Sequence, residues 1–158
     1  MKKIFSFLIT LFIFVSFINS YQDDYLKITS TVSPKIIRQN EEGILKIKII
    51  PRDDIKISSH PEFIIKFNEN NDLIFSKVFF TASELDFQTK QEDNIVSLDL
   101  EKEIEIPFKI KEDSLIGKHK ISGEVIFTAV FKDHWSLKTY QKFFTVFSSR
   151  KNYKKKKR

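Results

Sequence analysis

The sequence predicts an all-β domain, an immunoglobulin-like antiparallel β-sandwich of about seven to nine strands. Three observations carry this expectation. Apolar and polar residues alternate with period two, as in Leu45–Lys46–Ile47–Lys48–Ile49, which is the mark of a half-buried strand. Ile, Val and 17 Phe residues dominate the apolar composition, and such side chains suit a pleated surface. No stretch holds helical periodicity for three turns.

Taken in order, a weak strand is expected over residues 26–32, followed by the Leu45–Ile49 alternation. Phe63, Ile65 and Phe67 repeat the pattern around Lys66, and weaker strands are expected over 73–80 and 95–98. Ile104, Ile106, Phe108 and Ile110 face one way, with Glu103, Glu105, Lys109 and Lys111 opposite. Val125, Phe127, Ala129 and Phe131 share a face within 118–132, and a last strand runs over about 137–147. Turn signals separate these runs: Asn40–Gly43, Pro51–Asp54, Asn68–Asp72 and Glu112–Ser114. Many short strands with turns between them indicate a sandwich. The Cys–Trp–Cys hallmark of antibody domains is missing, because the chain has no cysteine.

The termini differ from the middle. Residues 1–20 read as a secretory signal peptide, with Lys2 and Lys3 before an apolar run from Ile4 to Ile18. That run is short of the roughly 20 residues that span a bilayer, so cleavage near Ser20 is expected, with retention as an amino-terminal anchor the alternative. The protein is then exported, to the periplasm or cell envelope. Residues 21–149 form one domain, large enough to bury a core without disulfides. Residues 150–158 form a polybasic tail, expected to repel itself and stay unstructured.

The formal net charge of +6 belongs to these ends. Removing the nine basic residues of the signal and tail leaves 18 basic against 21 acidic residues, near −3. A nucleic-acid partner is therefore not expected. Lys154, Lys155, Lys156, Lys157 and Arg158 are candidate contacts to an anionic membrane, each worth on the order of 1 kcal/mol near a charged bilayer. A merely solubilising tail is the plain alternative.

Candidate catalytic groups are few. His60, His119 and His134 have no partner at metal-ligand spacing, and no metal or other cofactor is expected. Glu101, Glu103 and Glu105 fall at strand spacing on the polar face, where a solvated edge is expected rather than acid–base chemistry. No serine lies in a GxSxG context, and Gly43, Gly117 and Gly123 cannot form a phosphate loop.

Three segments resemble the amino-terminal domain of the thiol:disulfide interchange protein DsbD, a periplasmic immunoglobulin-like domain. They are Val32–Ser33–Pro34 with Gly43, then Asp54–Ile55–Lys56–Ile57–Ser58–Ser59–His60–Pro61, then the run from Gly117 to Ala129. The last is similar to the family's stretch leading into "YQACxxxxC". Continuing that register puts Val130 and Trp135 where the family has its two redox cysteines. Neither can form the thiolate that disulfide exchange requires, so the family's enzymatic activity is not carried over. The resemblance implies a non-catalytic module that binds an envelope protein, thioredoxin-like as the family's partners are. Val130, His134 and Trp135 are the candidate partner-binding residues. For Val130 the plain reading is a strand residue, and for His134 a solvated loop residue. For Trp135 it is core packing, set against its use as a binding anchor.

Overall fold

The computed structural model describes residues 24–60, 63–92 and 94–152. The predicted signal peptide and most of the basic tail lie outside these residues. Twelve strands form among the described residues, arranged as two packed sheets and a hairpin. The first sheet has the order β1 (Leu26–Ser33), β3 (Glu42–Pro51), β10 (Ile104–Ile110), β6 (Leu73–Phe75). The second has the order β2 (Ile36–Arg38), β12 (Ser136–Arg150), β11 (Gly117–Phe131), β5 (Ile64–Phe67), β7 (Phe79–Thr81). There β4 (Ile55–Ile57) also pairs with β11. The hairpin is β8 (Thr89–Glu92) with β9 (Ile95–Leu98). The fold is an immunoglobulin-like β-sandwich, as the alternation predicts.

The period-two residues place the core. Leu45, Ile47 and Ile49 of β3 and Ile104, Ile106, Phe108 and Ile110 of β10 are buried from one side. Ile65, Phe67, Ile121, Val125, Phe127 and Ala129 meet them from the other. Each such Ile, Val or Phe contributes about 1.5–3 kcal/mol by leaving water. Phenylalanines tie the layers together: Phe67 stacks on Phe75 with ring centroids 4.5 Å apart, and Phe108 meets Phe147 at 5.4 Å. A core of this kind accounts for a stable fold without disulfides.

Several elements depart from the sequence reading. The expected strand over 73–80 is two strands, β6 and β7, which belong to different sheets. Strands β2, β4 and β8 are short and not marked by local alternation; β2 and β4 are paired with the distant β12 and β11, and β8 with its hairpin neighbour β9. The sandwich is not wholly antiparallel, since β2 lies parallel to β12 after the chain crosses between sheets around Pro34–Lys35. Glu101 and Glu103 precede β10 rather than lying on it. Glu103 and Glu105 converge on Lys46 of β3, at 3.6 and 2.7 Å. That wet edge is an exposed ion-pair cluster.

β11 and β12 form the longest ladder, in register from Gly117↔Ser149 to Val130↔Ser136. At about 3.3 Å per residue, fifteen-residue strands separate the two ends of the sandwich by about 50 Å. The ends carry different chemistry.

Candidate functional site

One end of the sandwich holds a cleft of about 830 Å³. Three segments of chain build it. The first is the β3–β4 connection, where Pro51 leaves the strand and Asp53–Asp54 turn the chain into β4. The second is the β8–β9 hairpin, pinned to the sandwich by a bridge from Ser58 to Ser97. The third is the end of β11 and its turn into β12. The floor is apolar, made by Ile49, Ile55, Ile57, Leu98, Leu100 and Val130. The size and the apolar lining match those of ligand and partner sites in general.

The rim is charged. Arg52 Nη2 donates to Asp54 Oδ2 at 2.9 Å, and this hydrogen bond holds the Asp54 carboxyl below its ordinary range. Lys56 pairs with Glu92 at 3.2 Å, joining β4 to the hairpin. The Arg52 guanidinium also lies 5.1 Å from the centre of the Tyr25 ring, which meets Phe131 edge-on at 5.9 Å. The start of β1 therefore sits beside the cleft.

The β11–β12 turn positions the predicted site residues. His134 N donates to Phe131 O at 2.9 Å, and Phe131 N donates to Trp135 O at 3.0 Å. This is a three-residue hairpin turn closing on a left-handed residue, and His134 occupies that position with φ of 66°. Glycine is usual there, so His134 carries backbone strain, and its ring is solvent-exposed. Trp135 lies flat on Phe131, with centroids 3.9 Å apart and planes 4° from parallel. Trp135 remains 48 % exposed, which corrects the core reading of this residue. Val130 is half-buried in the cleft wall, and His134 lines the rim. The structure thus brings Val130 and His134 to one cleft, while Trp135 is not among its lining residues and reaches it only through Phe131, on which it stacks. Glu101 also lines the cleft, away from Glu103 and Glu105. Lys154, Lys155, Lys156, Lys157 and Arg158 lie outside the described residues.

The histidines do not converge. His119 and His134 stand at opposite ends of the β11–β12 ladder. Among the described residues no group of three or more His, Asp or Glu is placed to hold a metal ion.

A buried constellation that no sequence motif marks joins Asp72, His119 and Ser149. His119 Nε2 lies 2.7 Å from Ser149 Oγ, and Nδ1 lies 3.4 Å from Asp72 Oδ2. The order Asp–His–Ser matches a nucleophile relay, but the hydroxyl polarity is wrong for one. Ser149 Oγ donates its single proton to Leu115 O at 3.0 Å, so it accepts from His119 Nε2–H rather than donating to it. Ser149 is only 3 % exposed, which keeps substrate away. The network instead anchors the loop before β11. One signal was available: His119 has the same strand parity as Ile121, Val125 and Phe127, which marks it as inward-facing.

No protein-family model matches the chain, and no curated protein matches it in sequence. Among solved structures, a cohesin module from a family 33 glycoside hydrolase of Clostridium perfringens is similar at a TM-score of 0.47 and 9 % identity. That match covers 81 % of this chain and 98 % of the module. The major pilin subunit BcpA of Bacillus cereus is similar at a TM-score of 0.43 and 12 % identity, over 78 % of this chain and 40 % of the pilin. Murine CRIg is similar at 0.32 and 8 %, over 80 % of this chain and 99 % of that one. These likenesses are ones of strand architecture, and the fold assignment rests on the chain's own two sheets: the protein is an immunoglobulin-like β-sandwich module.

Proposed function

We propose that this protein is an exported, non-catalytic interaction module that receives an envelope protein at the cleft around Val130, His134 and Trp135. The observation that carries the reading is the cleft itself, an apolar floor inside a charged rim, with a half-exposed Trp135 stacked on Phe131 of its lining. Exposed aromatics beside an apolar depression are the usual anchors of protein–protein contacts. The resemblance to the DsbD amino-terminal domain supports the same face, since its register carries the two cysteine positions to Val130 in the cleft wall and Trp135 beside it. A thioredoxin-like partner would then dock here without exchanging disulfides, because neither side chain supplies a thiolate.

The test is site-specific photo-crosslinking in the native envelope. A benzophenone side chain at position 135 is expected to yield a discrete partner adduct, identified by mass spectrometry, and Val130→Lys is expected to abolish it. The same probe at position 66, on the outer face of the second sheet, serves as the control. Equal adducts at both positions, or an adduct indifferent to Val130→Lys, would overturn the reading.

A further inference from the structure

The charge of residues 21–149, near −3, is unevenly placed. Ile121, Val125 and Phe127 of β11 and Phe143 and Phe147 of β12 are buried, so the even-numbered residues of both strands belong to the outer face of the second sheet. Between the rungs Lys118↔Ser148 and Thr128↔Lys138, that face carries Lys118, Lys120, Lys138 and Lys142, with Lys66 of β5 beside Glu124. Five lysines against one glutamate make the face +4, and the rest of residues 21–149 carries −7. Glu124 pairs with Lys66 at 3.9 Å. Among the described residues the other four lysines have no ion-pair partner.

Aromatic rings stand among these cations. Tyr140 and Phe144 of β12 are 48 % and 65 % exposed on the same face. Lys120 Nζ lies 4.7 Å from the centre of the Phe144 ring, so an ammonium and an aromatic are presented together. Along β12 the outward order is Lys138, Tyr140, Lys142, Phe144. Charge and ring alternate, and like residues recur about 13 Å apart. We propose that this face binds a linear acidic polysaccharide in which charged and neutral sugars alternate. The lysines take the acid groups, and Tyr140 and Phe144 take the C–H faces of the neutral sugars, whose hydrogens suit the negative face of a ring.

Other polyanions match the face less well. Each strand of a nucleic-acid duplex carries a phosphate about every 3.4 Å, far closer than the lysines of β12 recur. The −7 on the rest of the domain also repels so dense a charge. A bilayer rewards an apolar surface that can sink below its headgroups, whereas here rings and ammonium groups alternate along one strand. The proposal does not rest on the cleft reading.

The chain from Tyr21 to Arg158 is titrated in a calorimeter with hyaluronan, which alternates a uronate with a neutral sugar. Dextran, a thymidine oligonucleotide and polyglutamate are titrated in parallel. Binding to hyaluronan is expected, and it should weaken as salt is added. Lys138→Glu with Lys142→Glu, and separately Tyr140→Ala with Phe144→Ala, are each expected to weaken it about tenfold or more, with unchanged circular dichroism because all four side chains are exposed. Removal of the basic residues 153–158 is expected to weaken it by no more than about threefold. Equal binding by the Lys138→Glu, Lys142→Glu variant, loss of binding on removing the tail alone, equal binding to dextran, tighter binding to the oligonucleotide or to polyglutamate, or no binding to hyaluronan would each overturn the proposal.

Discussion

Trp135 offers a sharp separation between a residue that builds the fold and one that serves its surface. Full burial of a tryptophan removes about 150–250 Å² from water. Trp135 is 48 % exposed, so Trp135→Ala forfeits about half of that, or roughly 2 kcal/mol at about 25 cal/mol per Å². Compactness of the unfolded chain lowers this figure, and loss of the Phe131 stack adds about 0.5–1.5 kcal/mol. The backbone bond from Phe131 N to Trp135 O survives the substitution. The net expectation is a loss of about 2 kcal/mol, or roughly 6–10 °C in Tm for a domain of this size. Phe127→Ala is the reference: at 1 % exposure it should cost about 3–5 kcal/mol. Urea and thermal denaturation of both variants, followed by circular dichroism, measure the difference. A Trp135→Ala loss as large as that of Phe127→Ala would refute the surface assignment. A modest loss with undiminished partner binding would refute its role as an anchor.

Other consequences are more local. His134→Gly relieves a left-handed residue in the β11–β12 turn and should stabilise the domain by about 1 kcal/mol, read as a rise in Tm; a fall would mean that the histidine side chain holds the turn. Gly123→Ala would place a methyl group against the Lys66 carbonyl oxygen of the neighbouring strand and against the Phe143 ring, costing about 1–3 kcal/mol by denaturation. Ser149→Ala removes the hydroxyl between His119 and Leu115 and should cost about 1–3 kcal/mol, with faster amide exchange confined to residues 112–116. Glu84 is held at a pKa of about 2 by Lys77 and by the backbone and hydroxyl of Thr81. Because its folded value is depressed, its contribution is present above the ordinary value of 4.5 and is lost as pH falls toward about 2. In Glu84→Gln the pH dependence of stability over that window should flatten, and an unchanged slope between wild type and variant would discount the contacts.

Much of the fold was legible in the chain because strand alternation is a local signal. Residues 45–49, 104–110 and 118–131 announce their buried faces through apolar parity alone, and the described core follows it. Short elements were not legible in this way. Three-residue strands such as Ile36–Arg38 and Ile55–Ile57 contain too few alternations to register, and they exist because β12 and β11 offer them a ladder. The segment 73–80 reads as one apolar run, yet it divides between sheets, a choice made by pairing with β10 and then β5.

The candidate site divides along the same line. Residue identities alone determined that this chain has no thiol chemistry, that its basicity lies at its ends, and that it is built of strands. Tertiary structure decided the rest. It placed Val130 in a cleft, left Trp135 exposed on Phe131 rather than in the core, and joined Asp72, His119 and Ser149 across up to 77 positions of sequence. It also left Leu115 and Ile116 exposed in the loop before β11. The reason is physical: parity along a strand is written in neighbouring residues, whereas a cleft or a hydrogen-bonded cluster is made by loops that meet only after the sheets have packed.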